Sequence, residues 1–97
     1  EHSRSEQEDF TLVFLGPADV HADGALLELT YNHDGRSYEM GDAWGHVAVR
    51  ADESSLESYW EMLMSRHAED YRDPESCDWN YAFTKDPDGH EIEVVRR

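Results

Sequence analysis

Apolar and polar residues alternate in five short runs along this chain, and one longer run repeats at helical spacing. FTLVFLG, residues 10–16, sets Phe10, Leu12 and Phe14 against Thr11, Val13 and Leu15, which predicts a strand buried on both sides. The polar residues 1–9 before it read as an exposed lead-in or an edge strand. PADVHADG has turn residues at both ends and reads as a loop. ALLELTYN is a second strand, the glycine-bearing NHDGRSYEMGDAWG a long connection, and GHVAVRA a third strand. The period then changes. Ser54 with Glu57 is a capping-box signal, and Leu56, Tyr59, Trp60, Leu63, Met64 and His67 follow at helical spacing, which predicts a helix over 54–69 with this stripe in the core. DYRDPESCD is loop, WNYAFTK a strand, DPDG a turn opened by Pro87 and closed by Gly89, and HEIEVV the last strand. The order β, β, β, α, β, β is an α+β class with no short sequence repeat.

Strand parity singles out three residues. Side chains alternate faces along a strand, so Glu28 lies opposite Leu27 and Leu29, His46 opposite Val47 and Val49, and Glu93 opposite Ile92 and Val94. If the aliphatic faces pack under a helix, the three polar residues point to the other side of the sheet. Two carboxylates and an imidazole there form a set suited to a divalent metal. Glu91 shares the face of Glu93 and is the competing carboxylate.

Composition narrows the function classes. With 97 residues the chain is one domain, 1–97, and the lone Cys77 excludes an internal disulfide and a thiolate zinc cluster. An unpaired cysteine fits a reducing cytoplasm. No apolar run approaches the ~20 residues of a membrane helix. The net charge of −15, from 23 Asp and Glu against 8 Lys and Arg, makes nucleic acid and anionic membranes poor partners. Lys85 is the one lysine, and such an acid excess fits a halophile, where salt screens the self-repulsion. Asp19, His21 and Asp23 alternate but read as a solvated loop. DPDGHEIE lacks the register of a calcium loop. Cys77 has no basic neighbour to make it a nucleophile. His90 shares the parity of Ile92.

FTLVFLG, ALLELTYN, YEMGDAWGHVAV and AFTKDPDGHEIEVV resemble, in that order, the glyoxalase I branch of the vicinal oxygen chelate superfamily. The resemblance implies paired βαβββ modules, with an incomplete first module at 1–45 and the second at 46–97. It implies a divalent metal, nickel, cobalt or zinc, held by Glu28, His46 and Glu93, with a fourth ligand on an opening strand. That strand and a helix, ~25 to 30 residues by the usual element lengths, would precede Glu1. It implies a homodimer, Glu93 as general base and Asn32 as a contact to a low-molecular-weight thiol. The expected reaction turns the hemithioacetal of a 2-oxoaldehyde, methylglyoxal, into a lactoyl thioester. The chain departs from the family where HAEDYRDPESCDW replaces a basic loop and where Asp42 stands four before His46. Fewer cations match the carboxylates of glutathione less well. The alternatives are a non-catalytic small-molecule-binding or resistance-type member, or another metalloenzyme of the superfamily such as a dioxygenase.

Overall fold

The computed structural model describes residues 1–16, 24–51 and 55–96. They form an α+β fold in two compact units, Glu1–Glu39 and Met40–Arg97, each with its own three-stranded sheet. The candidate loop residues Asp19, His21 and Asp23 lie outside the described residues.

In the first unit β1 (Ser3–Glu6), β2 (Phe10–Leu15) and β3 (Leu27–Asn32) make an antiparallel sheet in the order β1-β2-β3. The polar lead-in is therefore an edge strand. Ser3 pairs with Phe14, and Phe14 with Glu28, so one face carries Phe10, Leu12 and Phe14 beside Glu28, Thr30 and Asn32. The other carries Val13 and Leu15 beside Leu27 and Leu29, which stay 45% exposed because no helix covers this face among the unit's described residues. The hairpin is closed by His33. Its Nδ1 lies 3.0 Å from the Glu8 carbonyl and its Nε2 2.9 Å from the hydroxyl of buried Thr11. A carbonyl only accepts, so Nδ1 carries the hydrogen, and in the neutral ring Nε2 accepts from Thr11.

In the second unit β4 (Val47–Arg50) runs parallel to β6 (Glu91–Val95), and β5 (Tyr81–Lys85) pairs antiparallel on its other side. Parallel strands need a long crossover, which α1 (Leu56–Ser65) supplies. Ala51, Leu56 and Val94 are buried together, with Tyr59 and Leu63 packed against them. Trp60 is buried too, so Leu56, Tyr59, Trp60 and Leu63 of the expected stripe are core, while Met64 is half-buried and His67 exposed.

The helix is shorter than its apolar period predicts. Ser55 is the N-cap, extended at φ −144°, and its hydroxyl accepts from the Ser58 N–H at 3.1 Å, so the Ser54 and Glu57 pairing is not the cap; Ser54 itself lies outside the described residues. At the other end His67 turns left-handed at φ 66°, its N–H reaching the Met64 carbonyl while that of Ala68 reaches Leu63. These two bonds satisfy carbonyls of the last turn and stop the helix before Glu69. His67 thus ends the helix instead of extending its stripe.

The expected loop contains one 3-10 turn, Glu75–Cys77, which buries Cys77. Asp78 and Trp79 leave it with left-handed backbones, φ 54° and 61°, and the Trp79 N–H bonds the Pro74 carbonyl at 2.8 Å. Neither can join an extended strand in that conformation, so β5 begins at Tyr81 and not at Trp79. Beyond β5 the DPDG turn forms as expected: Gly89, at φ 91°, donates to the Asp86 carbonyl.

Candidate functional site

The face of the second sheet opposite α1 is set by its register. Ala48 and Phe83 flank Glu93 on β6, and His46 precedes β4 with the parity of Ala48. His46 and Glu93 meet there, Nε2 to Oε2 at 3.1 Å. The intervening Ala48 is small, so neither side chain is obstructed. Phe83 is buried, and its ring meets the His46 imidazole edge-to-face at 5.3 Å, which fixes the imidazole plane. Glu93 is the more enclosed of the pair, with 20% of its side chain exposed against 44% for His46.

The register also orders the carboxylates. Glu91 shares this face but pairs with Lys85, one row nearer the DPDG turn, and the carboxylate in contact with His46 is that of Glu93. Parity along the sequence could not choose between the two.

Glu28 lies on β3 in the first unit, exposed, with Phe14 opposite it in register. Asn32 shares its face at the strand's end, where its amide donates to the Tyr38 hydroxyl. Asn32 also lines an open cavity of about 390 Å³ with Asp9, His33, Asp34 and Arg36. Arg36 is held in a fork by the carboxylate of Asp34, at 2.6 to 2.9 Å.

Two features go beyond the sequence reading, the first of them in DPDGHEIE, which that reading sets aside as a calcium loop. Asp86, Asp88 and His90 each offer a ligand atom within 4.8 Å of the others. The D-x-D-x-H alternation through the turn was their only signal. Asp86 accepts from the Asp88 and His90 backbone N–H groups and lies 2.9 Å from His90 Nδ1. Burial works to raise its pKa, but the bonds from His90, its charge and the Asp88 N–H outweigh that and hold the carboxyl below its usual value. His90 is only half-buried, its ring against Trp44 at 4.7 Å. The second feature is Arg72, which sits in the acidic loop and forms a main-chain bridge to Phe83 at the outer edge of β5. Its guanidinium lies 5.1 Å from the centre of the Phe83 ring.

The profile of the Glyoxalase/Bleomycin resistance protein/Dioxygenase superfamily matches residues 9–94. The chain belongs to this superfamily. Among its glyoxalase-superfamily relatives, a probable lactoylglutathione lyase of Vibrio cholerae is 36% identical over 90 residues, covering 90% of this chain and 63% of the relative. The lactoylglutathione lyase of Neisseria meningitidis serogroup A is 34% identical, over 91% of this chain and 64% of the relative. The chain thus spans a little under two thirds of the length of these curated relatives. A solved glyoxalase I of Leishmania major, described as trypanothione-dependent, superposes with a TM-score of 0.74 at 30% identity, over 98% of this chain and 66% of that one. No helix among the described residues is long and apolar enough to cross a membrane.

Proposed function

We propose that this glyoxalase-superfamily domain belongs to a lyase that isomerises the hemithioacetal of methylglyoxal and a low-molecular-weight thiol into a lactoyl thioester. The observation that carries the reading is the contact of His46 with Glu93 on the open face of the second sheet. The names of the relatives support the reaction class. The reaction moves the hydroxyl proton of the hemithioacetal to the neighbouring oxygen and the proton on the carbon bearing sulfur to the neighbouring carbonyl carbon, with no net oxidation. Glu93 is the base that takes the carbon-bound proton and gives it back. Its place supports that role, since its side chain is only 20% exposed and lies on the same sheet face as His46.

The donors fit a divalent cation. Two atoms each about 2.1 Å from one ion lie about 3.0 to 3.4 Å apart at octahedral or tetrahedral angles, and His46 Nε2 and Glu93 Oε2 are 3.1 Å apart. Nitrogen and oxygen donors suit nickel, cobalt or zinc. Such an ion supplies Lewis-acid stabilisation of the charge that develops on the substrate oxygens. His46 and Glu93 would hold it, with Glu28 as a further carboxylate donor. Asn32 would contact the thiol. A homodimer and a salt-rich cytoplasm complete the reading, the latter supported by the acid excess and the single lysine. The test is to supply the complete protein with nickel, cobalt or zinc, methylglyoxal and a thiol, and to follow thioester formation. Absence of thioester with every metal and thiol overturns the lyase and leaves the small-molecule-binding reading.

A further inference from the structure

One cavity of the second unit plays no part in the site at Glu93. It measures about 170 Å³ and lies between α1, which contributes Glu57, Trp60 and Glu61, and the loop after it, which contributes Asp73, Glu75 and Trp79. Four of its seven lining residues are acidic, against 23 of 97 in the whole chain, so carboxylates gather here beyond the general acid excess. Asp73 is engaged by the Ser76 N–H at 2.8 Å, whereas Glu57, Glu61 and Glu75 meet no cation and no hydrogen-bond donor among the described residues. Glu57 and Glu61 are also four apart on α1, a spacing at which like charges destabilise a helix.

Two indoles complete the cleft. Trp60 is only 7% exposed, yet its N–H has no acceptor among the described residues and is not sealed from solvent, so it opens onto the cavity that Trp60 lines. Trp79 is 44% exposed at φ 61°, a left-handed backbone that a bulky residue rarely holds. The bond from its N–H to the Pro74 carbonyl maintains that conformation and keeps the indole at the cavity. Such strained backbone is concentrated where ligands are held.

We propose that this cleft binds a small organic cation of the alkylammonium class that also carries a hydroxyl or carbonyl oxygen. Trp79 offers an indole face to the cationic head, Glu57, Glu61 and Glu75 supply the opposite charge, and the Trp60 N–H donates to the oxygen. The volume is below the ~300 to 1,000 Å³ usual for drug-sized ligands, which suits a molecule of a few heavy atoms. A bare metal ion has no use for the indoles, and an anion is repelled by the carboxylates. The binding is independent of the lyase reading, because none of these residues belongs to the site at His46 and Glu93.

The probe is choline, compared by calorimetry on the complete protein with its neutral isostere, in which a quaternary carbon replaces the nitrogen and the hydroxyl is kept. Ionic strength is matched throughout. We expect wild type to bind choline roughly tenfold or more tighter than the isostere. Trp79→Asn removes the ring but keeps a residue that tolerates the left-handed backbone, and it should weaken choline by roughly 3- to 30-fold, the contribution of an indole to a cation. The double variant Glu57→Gln and Glu61→Gln should weaken choline while leaving the isostere unchanged. Binding of neither probe, or equal binding of both, overturns the proposal. A folded Trp79→Asn protein, checked by circular dichroism, that binds choline as wild type does also overturns it. If that variant does not fold, the double variant decides: selective loss of choline sustains the proposal, and unchanged choline affinity defeats it.

Discussion

Glu93→Gln separates chemistry from structure. Gln keeps the size of the side chain and an oxygen that can still face His46 Nε2, now 3.1 Å from the carboxylate. The His46 and Glu93 pair is partly solvated, and such pairs contribute about 0 to 1 kcal/mol to stability. Replacement should therefore cost less than about 1 kcal/mol in denaturant unfolding. The effect on turnover is of another order. A positioned general base contributes about 10² to 10⁴ in rate, equivalent to about 2.7 to 5.4 kcal/mol at 1.36 kcal/mol per decade. An amide cannot take the carbon-bound proton, so the whole of that contribution is lost. The assay is single-turnover thioester formation by the metal-loaded complete protein, with metal content measured on the same sample. The expected result is a fall of at least 100-fold with the metal retained by the remaining donors. Activity within tenfold of wild type, with metal still bound, would refute the assignment of Glu93 as base.

Three further expectations rest on particular contacts. Val94 is 1% exposed in the cluster with Ala51 and Leu56, so Val94→Ala should cost about 2 kcal/mol or more in urea unfolding; Val49 shares its face but is 39% exposed, and an equal loss from Val49→Ala would contradict the packing. The Asp86 carboxyl is held below its ordinary value in the folded state by the His90 and Asp88 bonds, so it contributes stability that is fully present above about pH 4, its unfolded value, and lost as pH falls through the lower folded value. Acid unfolding should accordingly show the gap between wild type and Asp86→Asn closing below that pH, and a gap that widens in acid would be the wrong sign. With a net charge of −15, thermal stability should rise between about 0.05 and 1 M KCl as the Debye length shortens from over 10 Å to about 3 Å; a melting temperature that stays flat or falls would remove self-repulsion from the account.

Some of the site was legible in the chain because strands have a rigid period of two. His46 and Glu93 fall on one face whatever the rest of the fold does, once Val47 and Ile92 are placed inward. Register is another matter. The face of Glu28 looked polar along β3 alone, yet Phe10, Leu12 and Phe14 stand beside it, because pairing with β2 puts the larger apolar residues of that strand on the same side. The helix end was hidden for a similar reason. Nothing in RHAED forbids a further turn of helix, and the stop comes from the left-handed backbone of His67 and the two bonds it allows. Arg72 had no signal at all, since a loop residue acquires a face only when its backbone joins a strand, here at Phe83.

That same registration exposes a correspondence between the two units that no sequence repeat announces. In the first, β1 pairs antiparallel with β2 and β2 with β3; in the second, Arg72 pairs antiparallel with β5 and β5 with β6. In each, a phenylalanine of the middle strand faces a glutamate of the next, Phe14 opposite Glu28 and Phe83 opposite Glu93. Glu28 and Glu93 therefore occupy equivalent places in two versions of one hairpin, each with a phenylalanine as its cross-strand neighbour. The versions differ in what lies along the following edge. On β6 that edge is paired with β4, which brings His46 to Glu93, whereas the corresponding edge of β3 has no neighbour among the described residues. The equivalence gives Glu28 a physical claim to the role proposed for it, independent of the motif around it. It also shows why His46 is the partner to perturb first: it leads into the one strand that has no counterpart among the described residues of the first unit.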